Sequence, residues 1–142
     1  MLRLLAVAVL CAALVACGPP SSHEETPADE TPSPLAVEGV WTGEVVEDDV
    51  RYEIVLTLDR LVPGAAAGTT AYTGGLTCSG TLTFEGTDRR VLSFREALDG
   101  SPACADSGRV DVRLRSDGRL GWLWYRTDGD AVPDARATLD PR

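Results

Sequence analysis

Residues 50–58 alternate strictly enough to limit what this chain can fold into. Val50, Tyr52, Ile54, Leu56 and Leu58 fall on one face, and Arg51, Glu53 and Thr57 on the other. A period of two belongs to a half-buried strand, because successive side chains point to opposite faces of a sheet. Residues 76–84 repeat the pattern, with Leu76, Cys78, Leu82 and Phe84 inward. Residues 109–115 repeat it again, with Val110, Val112 and Leu114 inward and Asp111 and Arg113 outward. Further strands are expected at residues 40–46, 90–98, 119–125 and 135–139. Asp117-Gly118 is the strongest hairpin signal, and Glu47-Asp48-Asp49, Gly86-Thr87-Asp88 and Asp128-Gly129 are weaker turn signals. Residues 61–70, with Pro63, Gly64 and Gly68, read as a longer loop. Seven or eight short antiparallel strands predict an all-β domain, either a small up-and-down β-barrel or a β-sandwich.

The start of the chain has a different character. Arg3 is followed by an apolar run up to Ala16, too short for a membrane span of about 20 residues but suited to an export signal. The run ends Leu14-Val15-Ala16-Cys17. This resembles the lipobox of bacterial lipoproteins, in which an aliphatic residue and two small ones precede a cysteine. The resemblance implies cleavage after Ala16 and a diacylglycerol on Cys17, so that residues 1–16 are a lipoprotein signal peptide. Each buried methylene is worth about 0.8 kcal/mol, and two chains hold a protein stably where one does not. The membrane is therefore an expected partner, reached through the lipid, and the expected location is the extracytoplasmic face of the cell membrane.

Residues 17–34 read as the lipidated cysteine and a disordered tether. Five prolines and four acids lie there with no Arg and no apolar side chain larger than Ala. Such a stretch gains too little burial to offset its ordering entropy. As a flexible coil it would reach about 20–25 Å, enough to lift a domain off the bilayer. His23, the only histidine, sits in this tether, away from any supporting shell. Residues 35–142 form the folded domain.

Composition narrows the chemistry. The net charge is −9, all 13 basic residues are Arg, and the chain contains no Lys, Asn or Gln. Schiff-base chemistry is excluded. Nucleic acid is not expected as a partner, since binding it calls for clustered positive charge. With no histidine in the domain, Ser-His-Asp and Cys-His arrangements are excluded, and no metal site or cofactor is expected. A carboxylate pair acting on envelope glycans is the remaining enzymatic reading, although nothing singles out one pair.

Three side chains and two thiols stand out. With Cys11 in the signal and Cys17 in the anchor, Cys78 and Cys104 remain, and two thiols in an oxidising compartment pair. Glu96 shares a face with Leu92, Phe94 and Leu98. Either it points into the core, facing an inward Arg or the mouth of a cavity, or it lies at a strand end or beyond a bulge that reverses the register. Trp122 and Trp124 share a face with Leu120, while Leu123 and Tyr125 take the other. Either the strand is covered on both sides or one face is an exposed aromatic contact surface.

Gly39-Val40-Trp41 resembles the Gly-x-Trp that opens the first strand of lipocalins and their calycin relatives. The resemblance implies that Trp41 plugs one end of a barrel and that Arg136, near the last strand, packs on it. A second pattern runs from Tyr72 through Leu76-Thr77-Cys78-Ser79-Gly80-Thr81-Leu82, Phe94, Glu96, Gly100, Cys104, Gly108, Val112 and Leu120 to Trp122-x-Trp124. It resembles small extracytoplasmic domains of actinobacterial lipoproteins and kinase ectodomains, a group that implies no activity. The expectation is a monomeric, non-enzymatic binding or interaction module for an envelope protein or small ligand, with Glu96, Trp41, Trp122, Trp124 and Arg136 as candidate contacts. The alternative is a calycin-like carrier with an apolar cavity of roughly 300 Å³ or more.

Overall fold

A computed structural model describes residues 36–100, 102–105, 107–126 and 131–142. Eight strands follow one another: β1 (Gly39–Glu47), β2 (Val50–Leu58), β3 (Ala66–Thr73), β4 (Cys78–Asp88), β5 (Val91–Gly100), β6 (Ser107–Leu114), β7 (Leu120–Tyr125) and β8 (Ala135–Pro141). Each pairs antiparallel with its neighbour, and β8 returns to β1, closing an up-and-down barrel. Closure decides between the two expected architectures. It also gives every strand two partners, so no sheet edge is left to recruit another chain.

The connections alternate between two ends. The β1–β2, β3–β4, β5–β6 and β7–β8 connections lie at what we call the upper end, the others at the lower end with the chain's entry and exit. Val37 folds beneath the lower end, fully buried, and its carbonyl accepts a 2.9 Å hydrogen bond from Trp41 Nε1. Trp41 is thus a buried side chain at the lower end.

An eight-stranded barrel encloses just enough width for side chains to fill. Here they do. Ile54, Leu56, Leu82, Leu92, Phe94, Val110, Leu120, Trp122 and Leu139 are all at most 1 % exposed and form one continuous cluster. Phe84 and Phe94, directly opposed on β4 and β5, meet with ring centroids 5.3 Å apart.

Three local readings are corrected. Residues 66–73 are a strand, not part of a loop. The β4–β5 turn lies at Arg89-Arg90, because a bulge between Phe84 and Gly86 lets β4 continue to Asp88. Leu76 precedes β4 and is half-buried at the upper mouth. The Asp117-Gly118 signal holds: Gly118 takes a left-handed φ of 79°, and Asp117 accepts hydrogen bonds from the backbone and side chain of Arg119.

Candidate functional site

The upper interior holds the one buried carboxylate among the described residues. Glu96 lies on β5 between Leu82 of β4 and Gly108 of β6, and it is 0 % exposed. The alternation of Leu92, Phe94 and Glu96 continues unbroken, so no bulge turns it outward. No arginine among the described residues bonds to it. Its Oε1 accepts a 2.8 Å hydrogen bond from Tyr72 Oη and another from the Thr70 hydroxyl. Both partners come from β3, on the far side of β4.

Two glycines make this possible. A Cβ at Gly80 of β4 would lie 2.5 Å from Glu96 Oε1, and one at Gly108 would fall within 2.6 Å of three atoms of the Trp124 indole. The carboxylate therefore occupies space left by one missing side chain, and the indole occupies space left by another.

Burial pushes the Glu96 carboxyl above its ordinary 4.5, against the opposing pull of Thr70, Tyr72 and the nearby Trp124 N–H. Burial also raises the Tyr72 phenol well above its usual range, and the adjacent Glu96 raises it further. Trp124 stands close to the carboxylate without forming a geometrically sound bond. Glu96 Oε2, Trp124 Nε1 and Trp122 Nε1 all lack a hydrogen-bond partner among the described residues. Above them Tyr52, itself packed edge-on to Tyr72, donates a 2.9 Å hydrogen bond to Glu47, which also faces Arg126 at 3.4 Å.

A disulfide between Cys78 and Cys104 draws the β5–β6 loop across this end. The void left at the mouth measures about 60 Å³ and is bordered by Tyr52, Tyr72, Trp122, Trp124 and Cys104. That is the volume of about two waters, far below what a small-molecule carrier encloses.

Trp122 and Trp124 are interior residues, 1 % and 5 % exposed, so the exposed aromatic-patch reading of this pair is corrected. Arg136 does not reach Trp41. It pairs with Val46 and Leu123 on the outward side of β8, is exposed, and stands five residues before Pro141, which is Trp41's partner. The strand alternation puts the two side chains on opposite faces of the wall. Cys17 lies outside the described residues.

Arg136 borders a different feature. A groove of about 600 Å³ runs over the outer wall of β1, β8, β7 and β6. Val46, Leu123 and Tyr125 supply apolar surface, and Glu44, Asp111, Arg113, Arg115 and Arg136 supply charge. Arg109 lies over the Tyr125 ring, 4.1 Å from its centroid, and covers one end of that surface.

Sequence reading missed Thr70 and Tyr72 because it missed β3. Tyr72 alternating with Thr70, between Gly68 and the Gly74-Gly75 pair, is the signal that locates the strand. Compared with protein-family models, curated proteins and solved structures, the chain gives no match.

Proposed function

We propose that this protein is a lipid-anchored, extracytoplasmic binding module that acts through the outer wall of its barrel and has no catalytic activity. The observation that carries the reading is the contrast between inside and outside. The interior is packed with side chains and leaves about 60 Å³ at one mouth, while the outer wall bears a concave surface of about 600 Å³. A carrier needs the reverse. Glu96, the most unusual carboxyl group, has no surface open to a glycan and bonds to hydroxyls of its own barrel. Lipid attachment at Cys17 and an acidic tether over residues 17–34 suit such a module, because they hold the domain at the membrane and leave its wall accessible.

Two measurements on the full chain test this. Cys17→Ser should move the protein from the membrane to the soluble fraction; retention of the variant in membranes overturns the anchor. Native mass spectrometry of the protein extracted in mild detergent should show the bare polypeptide-plus-lipid mass. A stoichiometric small molecule carried through purification overturns the surface-acting module in favour of the carrier.

A further inference from the structure

One strand glycine has no structural reason to be a glycine. Among the described strand glycines, Gly43, Gly80 and Gly108 each have an atom within 2.6 Å of where a Cβ would stand. The others carry a left-handed φ, except Gly121. At Gly121 the φ is ordinary, and a Cβ would meet only the Arg113 carbonyl at 3.7 Å, a normal contact. Glycine within a strand costs roughly 0.5–1 kcal/mol relative to alanine, and it commonly marks a place where a ligand or another backbone comes close. Gly121 lies in the groove on the outer wall.

The charges around Gly121 are unequally satisfied. Glu44 is paired with Arg51, and Asp111 accepts from Ser93 and faces Arg109. Arg115 is paired with Asp117. Arg113 and Arg136 have no ion-pair partner among the described residues, although the chain carries a net charge of −9. The groove's unspent charge is positive and sits beside an apolar surface.

Register sets the spacing of these two cations. Arg113 is opposite Gly121 on one side of β7, and Arg136 is opposite Leu123 on the other. They are two strand spacings apart across the wall, about 10 Å, and offset by about 7 Å along it, so about 12 Å on the diagonal. In an extended chain, side chains four residues apart share a face and lie about 13 Å apart, with the side chain between them on the same face.

We infer that the groove binds an extended, acidic segment of a partner protein, with carboxylates at positions i and i+4 on Arg113 and Arg136 and an aliphatic side chain at i+2 in the gap over Gly121. The inference rests on the surface-acting reading above and deepens it. A single-headed anionic amphiphile fits less well, because it satisfies one arginine and leaves the other. The groove is also open along its length, which suits a segment that shows alternate side chains to the protein and to water. Because the barrel is closed, recognition runs through side chains and not through strand addition.

The probe is a fluorescein-labelled heptapeptide, Thr-Glu-Thr-Leu-Thr-Glu-Thr, followed by anisotropy with the full chain in detergent. Binding should weaken at least tenfold in Gly121→Val, at least fivefold in Arg113→Ser and in Arg136→Ser, and progressively with salt. Gly121→Ala should keep the thermal midpoint at or above the parent's, which shows that the site and not the fold is changed. A peptide with Arg in place of both Glu residues should fail to bind. Equal binding of the two peptides, insensitivity to Gly121→Val, displacement by decanoate at equal strength, or no binding of the acidic probe each overturns the inference. If the probe fails while Cys17-dependent membrane retention and the bare mass persist, the groove assignment falls and the module reading stands. If the probe binds but retention is independent of Cys17, the anchor falls and the groove assignment stands.

Discussion

Gly80 makes room for Glu96: a Cβ at Gly80 would stand 2.5 Å from the carboxylate oxygen that Thr70 and Tyr72 hold. Two residues on adjacent strands are thereby coupled through an absent side chain. Gly80→Ala should destabilise the barrel by about 1–3 kcal/mol, the usual cost of overpacking. Glu96→Ala removes one of the two side chains in the way, the other being the Thr70 hydroxyl, so the double variant should still lose less than the sum of the two single losses. Urea denaturation of all four proteins measures the coupling. Strict additivity would show that the two side chains do not compete for the same space.

The raised Glu96 carboxyl predicts a pH dependence of stability. Its folded-state value lies above the ordinary 4.5, so the folded protein binds more protons than the unfolded chain just above that pH. The contribution is fully present below pH 4.5 and is lost as pH rises through the raised value. Glu96→Gln keeps an acceptor for Thr70 and Tyr72 and does not ionise. Its stability relative to the parent should therefore increase as pH is raised from 4.5 to neutrality, measured by thermal melts across that range. A parent-minus-variant difference that is flat with pH would place the ionisation elsewhere.

The Cys78–Cys104 disulfide spans 26 residues. Closing a loop of that length in the unfolded chain is worth about 3.5 kcal/mol on the chain-entropy model. Replacing both cysteines by serine should lower unfolding free energy by about that amount, with the far-ultraviolet spectrum of a β-barrel retained. A loss below about 1 kcal/mol would mean that the β5–β6 loop is held mainly by contacts other than the disulfide.

Arg89 and Arg90 form the two-residue turn between the paired residues Asp88 and Val91, both with positive φ, at 45° and 78°. A left-handed backbone costs roughly 1–2 kcal/mol at a residue with a Cβ. Asparagine followed by glycine is the sequence that such a turn prefers. The pair Arg89→Asn and Arg90→Gly should raise stability by about 1–2 kcal/mol, read as an increase of several degrees in thermal midpoint. An unchanged midpoint would show that the arginine side chains offset the backbone cost.

Most of the barrel is legible in the chain because its strands carry large inward side chains. In β2, Tyr52, Ile54, Leu56 and Leu58 announce both the strand and its buried face. β3 does not, since its inward positions include Ala67, Thr70 and Tyr72, and Pro63, Gly64 and Gly68 make the approach look like a loop. Sequence periodicity detects hydrophobic contrast, and β3 has little because its inward residues are small or hydroxyl-bearing, two of them bonding to a buried carboxylate. The same strand supplies the hydroxyls that hold Glu96, so the local weakness of the signal and the polarity of the site have one cause. Arg136 was misplaced for a different reason. A three-residue resemblance at Trp41 carries no information about which face of β8 an arginine occupies.

By itself the sequence determined the fold class, the inward face of each strongly alternating strand and the pairing of the last two cysteines, and it left the direction of Glu96 open. These follow from local periodicity and elimination, which need no knowledge of neighbours. Tertiary structure alone decided that the sheet closes, that the enclosed space is filled, that Glu96 points inward and meets Thr70 and Tyr72 across β4, and that Gly121 lies on the strand between those of Arg113 and Arg136. Each of these depends on the register between strands, set by the simultaneous packing of all eight inner faces.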